Sequence, residues 1–441
     1  MRSDARELWV WNWLPGDPGG LALAGRFDQQ QGPDGKRVGR FVYAQSYLDD
    51  VRARALDPVL LPLQPREFRT TDLAGIFGVL RDAGPDDWGK RLIDRRHGPQ
   101  DDLGYLLHAR GERTGSIDFS ETRDVPPPPP RTLQDIPSAA VVATALRALA
   151  RFEAREPIPD DLLDVLDAGT SNGGARPKLA VTFEGRSWIA KFAAPGDPEG
   201  LPPMPVQECA ALDLADQCGI RVPAHRLEVL GRSPALFVER FDRVGGQRLS
   251  YASARTVLWS APEIQRYSFM GSYNNLSRQF GRWIDSPGEA RRELYRRVVF
   301  NALTGNQDDH DLNHGLVFDP GAGSYGLSPM FDPVDARVRP VRELAMNFGT
   351  EGRTISISNL LSSPGDFGMT EESCREAVCT IAATIAKHWR AGLRRHGATD
   401  KQIEAMAYRF ALAEDFVRAC ADPERDVESA AAMGLQPGSG L

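Results

Sequence analysis

Residues Pro126 to Pro130 are five consecutive prolines, and no other stretch limits the folding of this chain so tightly. Proline fixes φ and carries no N–H, so such a run can sit neither inside a helix nor inside a central strand. It is stiff and extended, without internal hydrogen bonds. The run therefore reads as a linker between an N-terminal domain and the rest of the 441 residues; a decorated surface loop is the plainer alternative. At roughly 100–200 residues per domain, the chain has room for two or three domains, and a chain this long buries a core without staples. An apolar content of 41% with 26% charged residues is that of an ordinary soluble globular protein. No apolar run reaches the ~18 residues that a membrane span needs. The polar start from Met1 to Glu7 lacks the basic region, apolar stretch and cleavage site of a secretory signal, so a cytoplasmic protein without membrane contact is expected. The five cysteines, Cys209, Cys218, Cys374, Cys379 and Cys420, are odd in number and show no C-x-x-C spacing. That pattern predicts reduced thiols rather than a disulfide frame or a zinc site. A net charge of −7 argues against nucleic-acid binding by the molecule as a whole, though not against a local basic face or a basic protein partner.

Before the linker, LWVWNWL and GRFVYAQSYL are rich in aromatic and branched residues and read as strands. DLAGIFGVLRDAG and DDLGYLLHARGE read as short helices broken by glycine, and no chemical motif stands out among them. After the linker, SAAVVATALRALARFEARE predicts a helix capped by Ser138. A glycine-rich stretch, GTSNGGARPK, follows from Gly169 to Lys178. KLAVTF and SWIAKF then flank Glu184-Gly185-Arg186, the pattern of a hairpin. In the second strand Trp188, Ala190 and Phe192 share one face, Ile189 and Lys191 the other. VQECAALDLADQCGI predicts a helix stopped at Gly219, and LFVERF another strand. From about Ser250 the chain reads as mainly helical. Leu294, Val298, Val299, Ala302 and Leu303 line one helical face, and Val378, Ile381, Ile385 and Trp389 another. The tail MGLQPGSGL is small and flexible in composition. The order is a β-rich region with a glycine loop followed by a helical region, which suits a two-lobed nucleotide-binding enzyme.

Phosphoryl transfer asks a protein to hold phosphates, place magnesium and orient an acceptor hydroxyl. Its parts are a glycine loop, a lysine on a strand, a catalytic Asp with a downstream Asn, and a further metal-binding Asp. Candidates for all four occur here in that order. The glycine loop would let backbone amides approach phosphate oxygens, although most glycine-rich turns are only turns. Lys191 lies among apolar strand residues, and Glu208 follows it by 17 residues on a predicted helix. That spacing allows an ion pair that aims the ammonium at phosphates; a solvated lysine is the bland alternative. The densest segment is Asn306-Gln-Asp308-Asp309-His310-Asp311-Leu312-Asn313-His314, with three aspartates, two histidines and two asparagines in nine residues. It follows a helix ending near Gly305, and apart from a plain polar loop its residues can place a base and a magnesium ligand around one phosphate. Carboxylate and amide oxygens are hard ligands suited to Mg²⁺. Asp332 in GLSPMFDPVD lies 19 residues after Asn313; it is either an ordinary turn residue or the second metal ligand.

SNGGARPK, WIAKF, VQECAALDLA, FVERFDR, FNALTGNQDDHDLNH and SPMFDPVD together resemble the HipA-like serine/threonine kinase toxins of toxin–antitoxin systems. GRFVYAQSYLDD, LLPLQP and LGYLLHARGERTGSIDF extend the resemblance toward the N-terminus, so that it runs from about Glu7 to His396. It implies an α+β, protein-kinase-like two-lobed fold with an N-terminal accessory domain. The corresponding division is 1–130 for the accessory domain, 131–249 for the small lobe and 250–441 for the helical large lobe. It implies ATP and Mg²⁺, with Ser171, Gly173, Gly174, Ala175 and Lys178 of the glycine loop, Lys191 and Glu208 around the phosphates, and the hinge from Val238 through Glu239 to Phe241 gripping adenine. Asp308 would be the catalytic base, His310 a support for the catalytic loop, and Asn313 and Asp332 the metal ligands. Ser171, with Thr170 as the alternative, falls at the family's inhibitory autophosphorylation position, where a phosphate adds about −1.5 to −2 charge beside the ATP phosphates. The implied partners are a helix-turn-helix, HipB-like antitoxin, operator DNA through it, and a protein substrate such as an aminoacyl-tRNA synthetase. Leu312 departs from the lysine that usually precedes the metal-binding Asn, and RLSYASA departs from the family's version of that segment. Three rivals stand beside this reading. One is a kinase-shaped co-repressor, one a small-molecule kinase, and one, remote, a zinc hydrolase using His310 and His314 at i, i+4.

Overall fold

The computed structural model describes residues 6–421 apart from 17–19, 110–112, 130–132, 135–143, 145, 149, 153, 155, 158, 160–177, 195–196, 232, 262–270 and 336–340. The N-terminal part is built on an antiparallel sheet. Its strands are β1 (Arg6–Trp13), β2 (Leu21–Gln31), β3 (Arg37–Tyr43), β4 (Glu67–Thr70) and β5 (Ile117–Ser120), in the spatial order β4-β3-β2-β1-β5. Alternation along the strands sends Val10, Phe27 and Phe41 into the core. The helices α1 (Gly78–Asp82) and α2 (Asp87–His97) follow the sheet's fourth strand. Asp86 caps α2 by accepting from Gly89 N at 2.6 Å, as N-cap aspartates do. Pro126 to Pro129 belong to no helix or strand.

The small lobe is a second sheet. It contains β6 (Leu133–Gln134), β7 (Lys178–Phe183), β8 (Arg186–Phe192), β9 (His225–Leu230) and β10 (Ser233–Glu239), ordered β6-β7-β8-β10-β9. The expected hairpin is present, turning through Glu184 and Gly185 at φ 52° and 69°, the left-handed pair that a two-residue hairpin loop requires. Trp188, Ala190 and Phe192 face one apolar cluster with Leu179, Val181 and Phe237. The other face meets α3 (Met204–Gln217), where Cys209 and Leu212 pack on Leu236 and Val238. Leu236 is the cross-strand partner of Lys191, so the lysine lies on the face that α3 covers. Gly219, at φ 71°, ends that helix as expected. The helix predicted from Ser138 is helical at the described positions between 144 and 152, and its cap lies outside the described residues.

A short ribbon, β11 (Arg243–Val244) with β12 (Gln247–Arg248), leads to the large lobe. That lobe is mainly helical, with α4 (Ala254–Trp259), α5 (Tyr273–Gln279), α6 (Gly288–Thr304), α7 (Glu371–Arg395) and α8 (Ala407–Ala421) among its elements. Both predicted apolar faces are buried, on α6 and on α7. The helical reading missed a three-stranded sheet in this lobe, made of β13 (Tyr251–Ser253), β14 (Gly315–Asp319) and β15 (Ser324–Leu327). The reduced-thiol expectation needs correction. Cys379 on α7 and Cys420 on α8 form a disulfide, with Cα atoms 5.8 Å apart, while Cys209, Cys218 and Cys374 are buried free thiols. The 41 residues between the pair hide their proximity, which arises only because α7 and α8 pack side by side. The tail from Met433 lies outside the described residues. Among the described residues, no helix is long and apolar enough to cross a membrane.

Candidate active site

The site gathers where the small-lobe sheet faces the loops of the large lobe. Strand alternation turns Lys191 toward α3, and its Nζ lies 2.6 Å from Glu208 Oε1 and 3.3 Å from Asp332 Oδ1. Burial alone would push the ammonium down; the Glu208 and Asp332 carboxylates outweigh it and hold Lys191 above the ordinary lysine range. Glu208 is itself pushed up by burial, but contact with so firmly held an ammonium keeps the pair ionic. Burial would also raise Asp332, and Lys191, Lys178 and His310 bring it below the usual carboxylate value. Asp332 remains about half exposed, with 45% of its side chain accessible, and its backbone stands at φ 57°. A non-glycine residue in the left-handed region is uncommon, and such conformations gather at functional sites.

The polar nine-residue segment forms a non-helical loop directly after α6, and Gly305 at φ 68° ends the helix. Its side chains divide into two sets. Asp309 and His314 are buried beneath the loop. Asp309 Oδ2 accepts from Asn301 Nδ2 at 2.7 Å, lies 2.7 Å from His314 Nε2, and also accepts from the Tyr273 hydroxyl. Asp311 is buried too and receives Arg255 in a forked contact, its shortest bond 2.7 Å, the two-point geometry that makes Arg–carboxylate pairs strong. Asp308 and His310 are half-buried instead, and Leu312 is 40% exposed. Asn313 donates from Nδ2 to Asp308 O at 3.3 Å and from its backbone N to His310 O at 2.9 Å. Neither bond engages its amide oxygen, a ligand of the type Mg²⁺ prefers. His310 Nδ1 accepts from Leu312 N at 3.3 Å, a local brace for the loop. The deeper support falls to His314, which the sequence offered only as a zinc ligand. The i, i+4 spacing of His310 and His314 is not helical here and His314 is engaged by Asp309, so the pair does not present a metal-binding face. Among the described residues, no three His, Cys, Asp or Glu side chains group as a metal site.

Of the expected nucleotide contacts, Val238 is buried on β10, and the Glu239 carboxylate pairs with Arg186 at 3.1 Å. Phe241 lies against Phe331 with ring centroids 5.4 Å apart. The stretch from Val238 to Phe241 thus runs from the small-lobe sheet toward the segment that carries Asp332. Lys178 is the cross-strand partner of Lys191, but its side chain is buried, 4% exposed, and its Nζ is paired at 3.2 Å with Asp86 of the N-terminal part. Burial pushes Lys178 down, against the pull of Asp86. That partner was not legible, since 92 residues separate the two. Thr170, Ser171, Gly173, Gly174 and Ala175 lie outside the described residues.

A family model described as the HipA-like C-terminal domain matches residues 170–389, which span β7 to β10 of the small-lobe sheet, the polar loop after α6 and Asp332. The chain carries a HipA-like C-terminal domain. A curated relative from Sinorhizobium fredii, Y4dM, which carries an inferred kinase name, is 28% identical over 160 residues; the match spans 34% of this chain and 37% of that protein. A solved HipA structure from Shewanella oneidensis, taken from a complex of HipA, HipB and operator DNA, superposes with a TM-score of 0.64. It covers 97% of this chain and all of its own, at 17% identity. The HipA-like chain therefore has the HipA fold across nearly its whole length, N-terminal part included. The Helicobacter pylori kinase CtkA covers 60% of the chain at a TM-score of 0.44 and 13% identity, too loose an overlap to bear on the fold.

Proposed function

We propose that this HipA-like protein is an ATP-dependent serine/threonine protein kinase and the toxin of a toxin–antitoxin pair. The observation that carries the proposal is the convergence of Lys191 on Glu208 and Asp332. An ion-paired lysine and a carboxylate of low proton affinity are what a polyphosphate with its metal ion requires. Lys191, held in line by Glu208, would contact the ATP phosphates. Asn313 and Asp332 fit a hard divalent cation, one through its amide oxygen and the other through a half-exposed carboxylate. Mg²⁺ bound there would supply neutralisation of developing phosphate charge. Asp308, on the half-buried side of the loop, would accept a hydrogen bond from the acceptor hydroxyl and take its proton. The chain from Val238 to Phe241 would receive adenine, with residues 1–130 as accessory domain, 131–249 as small lobe and 250–441 as large lobe.

The fold shared with a HipA solved beside HipB and operator DNA supports a HipB-like helix-turn-helix antitoxin as partner, with DNA reached through it. The substrate would be a protein bearing a serine or threonine, an aminoacyl-tRNA synthetase being the example that the resemblance offers. The test is transfer from γ-labelled ATP together with phosphoproteomics after expression, wild type against Asp308→Ala. Phosphosites that appear only with the wild type, Ser171 or Thr170 among them, are expected. Identical phosphosites in both would sink the protein-kinase reading and leave a small-molecule acceptor or a purely binding role.

A further inference from the structure

Several contacts tie the N-terminal part to the kinase-like body, and the most deeply buried of them meet around one corner. The corner is the turn from Asp82 to Asp86, between α1 and α2. Asp82, at the end of α1, accepts from the Ser253 backbone N at 2.7 Å, the Ser253 hydroxyl at 2.7 Å and the Thr256 hydroxyl at 2.7 Å. Those groups form the first turn of α4 in the large lobe. Asp86, four residues on, uses one oxygen to cap α2 and the other to hold Lys178 at the base of the glycine loop in the small lobe. Between them the Ala83 carbonyl accepts from Arg113 Nη1 at 2.9 Å. The Arg113 carbonyl in turn accepts from Arg240 at 2.7 Å and Arg243 at 2.6 Å, both in the connector between the lobes. Asp242 of the same connector accepts from Gly115 N at 2.8 Å and pairs with Arg240 and Arg243. Burial would raise Asp242, and the two arginines hold it below the ordinary range instead.

These are buried, charge-assisted contacts. Arg113, Arg240 and Asp242 are each under 5% exposed. Interfaces between domains of one chain are more often polar and loose, and permit relative motion. Buried charged pairs with satisfied geometry do not, since each displacement strands a charge. The approach is also close in steric terms: a Cβ placed on Gly78 of α1 would come within 2.4 Å of the Thr256 hydroxyl.

We propose that the N-terminal domain is a brace that fixes the separation of the two lobes, with Asp86 gripping the small lobe through Lys178 and Asp82 gripping the large lobe through Ser253 and Thr256. Asp82 and Asp86 are positioning residues, because they touch no reacting atom. Their distance apart along one rigid corner, which includes Pro85, sets how far the glycine-loop base stands from the catalytic loop. The proposal rests on the kinase reading for its functional consequence, but its geometric part stands by itself.

The test uses the full chain with Asp86→Asn, Asp82→Asn and the pair together. Asparagine keeps the cap on α2 while turning the ion pair with Lys178 into a neutral contact, so Asp86→Asn folds even if the double variant does not. Spin labels at Val229→Cys and Lys401→Cys, both exposed positions, report the inter-lobe distance by pulsed electron resonance, and the three free native thiols are buried. The distance distribution should broaden in each variant. The KM for ATP should rise about five- to tenfold with kcat within about twofold, since a mobile small lobe weakens nucleotide binding before it alters chemistry. Unchanged distances with only a lower melting temperature would overturn the brace, as would a fall in kcat with KM untouched. If the wild type transfers no phosphate at all, the kinase reading fails, while the distance measurement still decides the brace.

Discussion

The polar loop after α6 has two faces, and nearly identical residues do opposite things on them. Asp309 and Asp308 are neighbours of the same type. Asp309 is buried and accepts from Asn301 and Tyr273 beside His314; Asp308 is half-buried. Asp311 is locked by Arg255, whereas Leu312 next to it is exposed. His314 is a buried partner, while His310 is half-buried and accepts from Leu312 N. One face fixes the loop and the other stays accessible, so composition alone overstates the chemistry of this segment. Roughly half of its polar residues are scaffold.

The contrast can be broken by exchanging the two aspartates' fates. Asp308→Ala should lower phosphoryl transfer by about 10³-fold or more, within the usual range for a positioned base, and leave the denaturant midpoint almost unmoved. Asp309→Ala should instead cost about 3–5 kcal/mol of stability, because it strands His314 and Asn301 in a buried site; urea unfolding reads it directly. If Asp309→Ala folds normally and only loses activity, the division into two faces is wrong.

A second buried carboxylate sharpens the comparison. Asp57 accepts from the backbone N–H groups of Val59 and Leu60, but its other oxygen is buried without a partner. Burial pushes its pKa up to about 6, and Asp82 is raised to about 6 for the same reason. A raised folded-state pKa makes the protonated form the favoured one. Its contribution is present in full below the unfolded value near 4 and is lost as pH climbs through about 6, at about 1.4 kcal/mol for each step of one in pH. Stability should therefore fall between pH 4 and 6, and Asp57→Asn should flatten that decline while keeping the acceptor for Val59 and Leu60. Unfolding midpoints at pH 4.5 and 7 for both proteins measure it. The smallest effect belongs to Arg255→Lys, which retains charge but loses the fork on Asp311; about 1 kcal/mol is expected, with transfer lowered severalfold through a looser loop.

Much of this is legible in the residues alone. The hairpin at Glu184-Gly185, the alternation that sets Lys191 apart from Trp188 and Phe192, and the apolar faces of α6 and α7 follow from periods of two and 3.6 residues. The Lys191–Glu208 pair is also foreseeable, because strand and helix are consecutive and their spacing is short. What escapes is non-local. The pairing of Cys379 with Cys420, the capture of Lys178 by Asp86, and the anchoring of Asp309 by Tyr273 join elements far apart in sequence. The three-stranded sheet β13–β15 is hard to see because its strands are three to five residues long and the first is cut off from the others by helices.

By itself the sequence determined the order of the parts: N-terminal sheet, small lobe, the polar loop after α6 and the segment that carries Asp332. Periodicity and local turn chemistry are written residue by residue, and they survive without knowing what packs on what. Only the tertiary structure decided which carboxylates stay accessible and which hold the scaffold. Burial, and the partners that burial forces on a charge, depend on segments that meet only once the chain has folded.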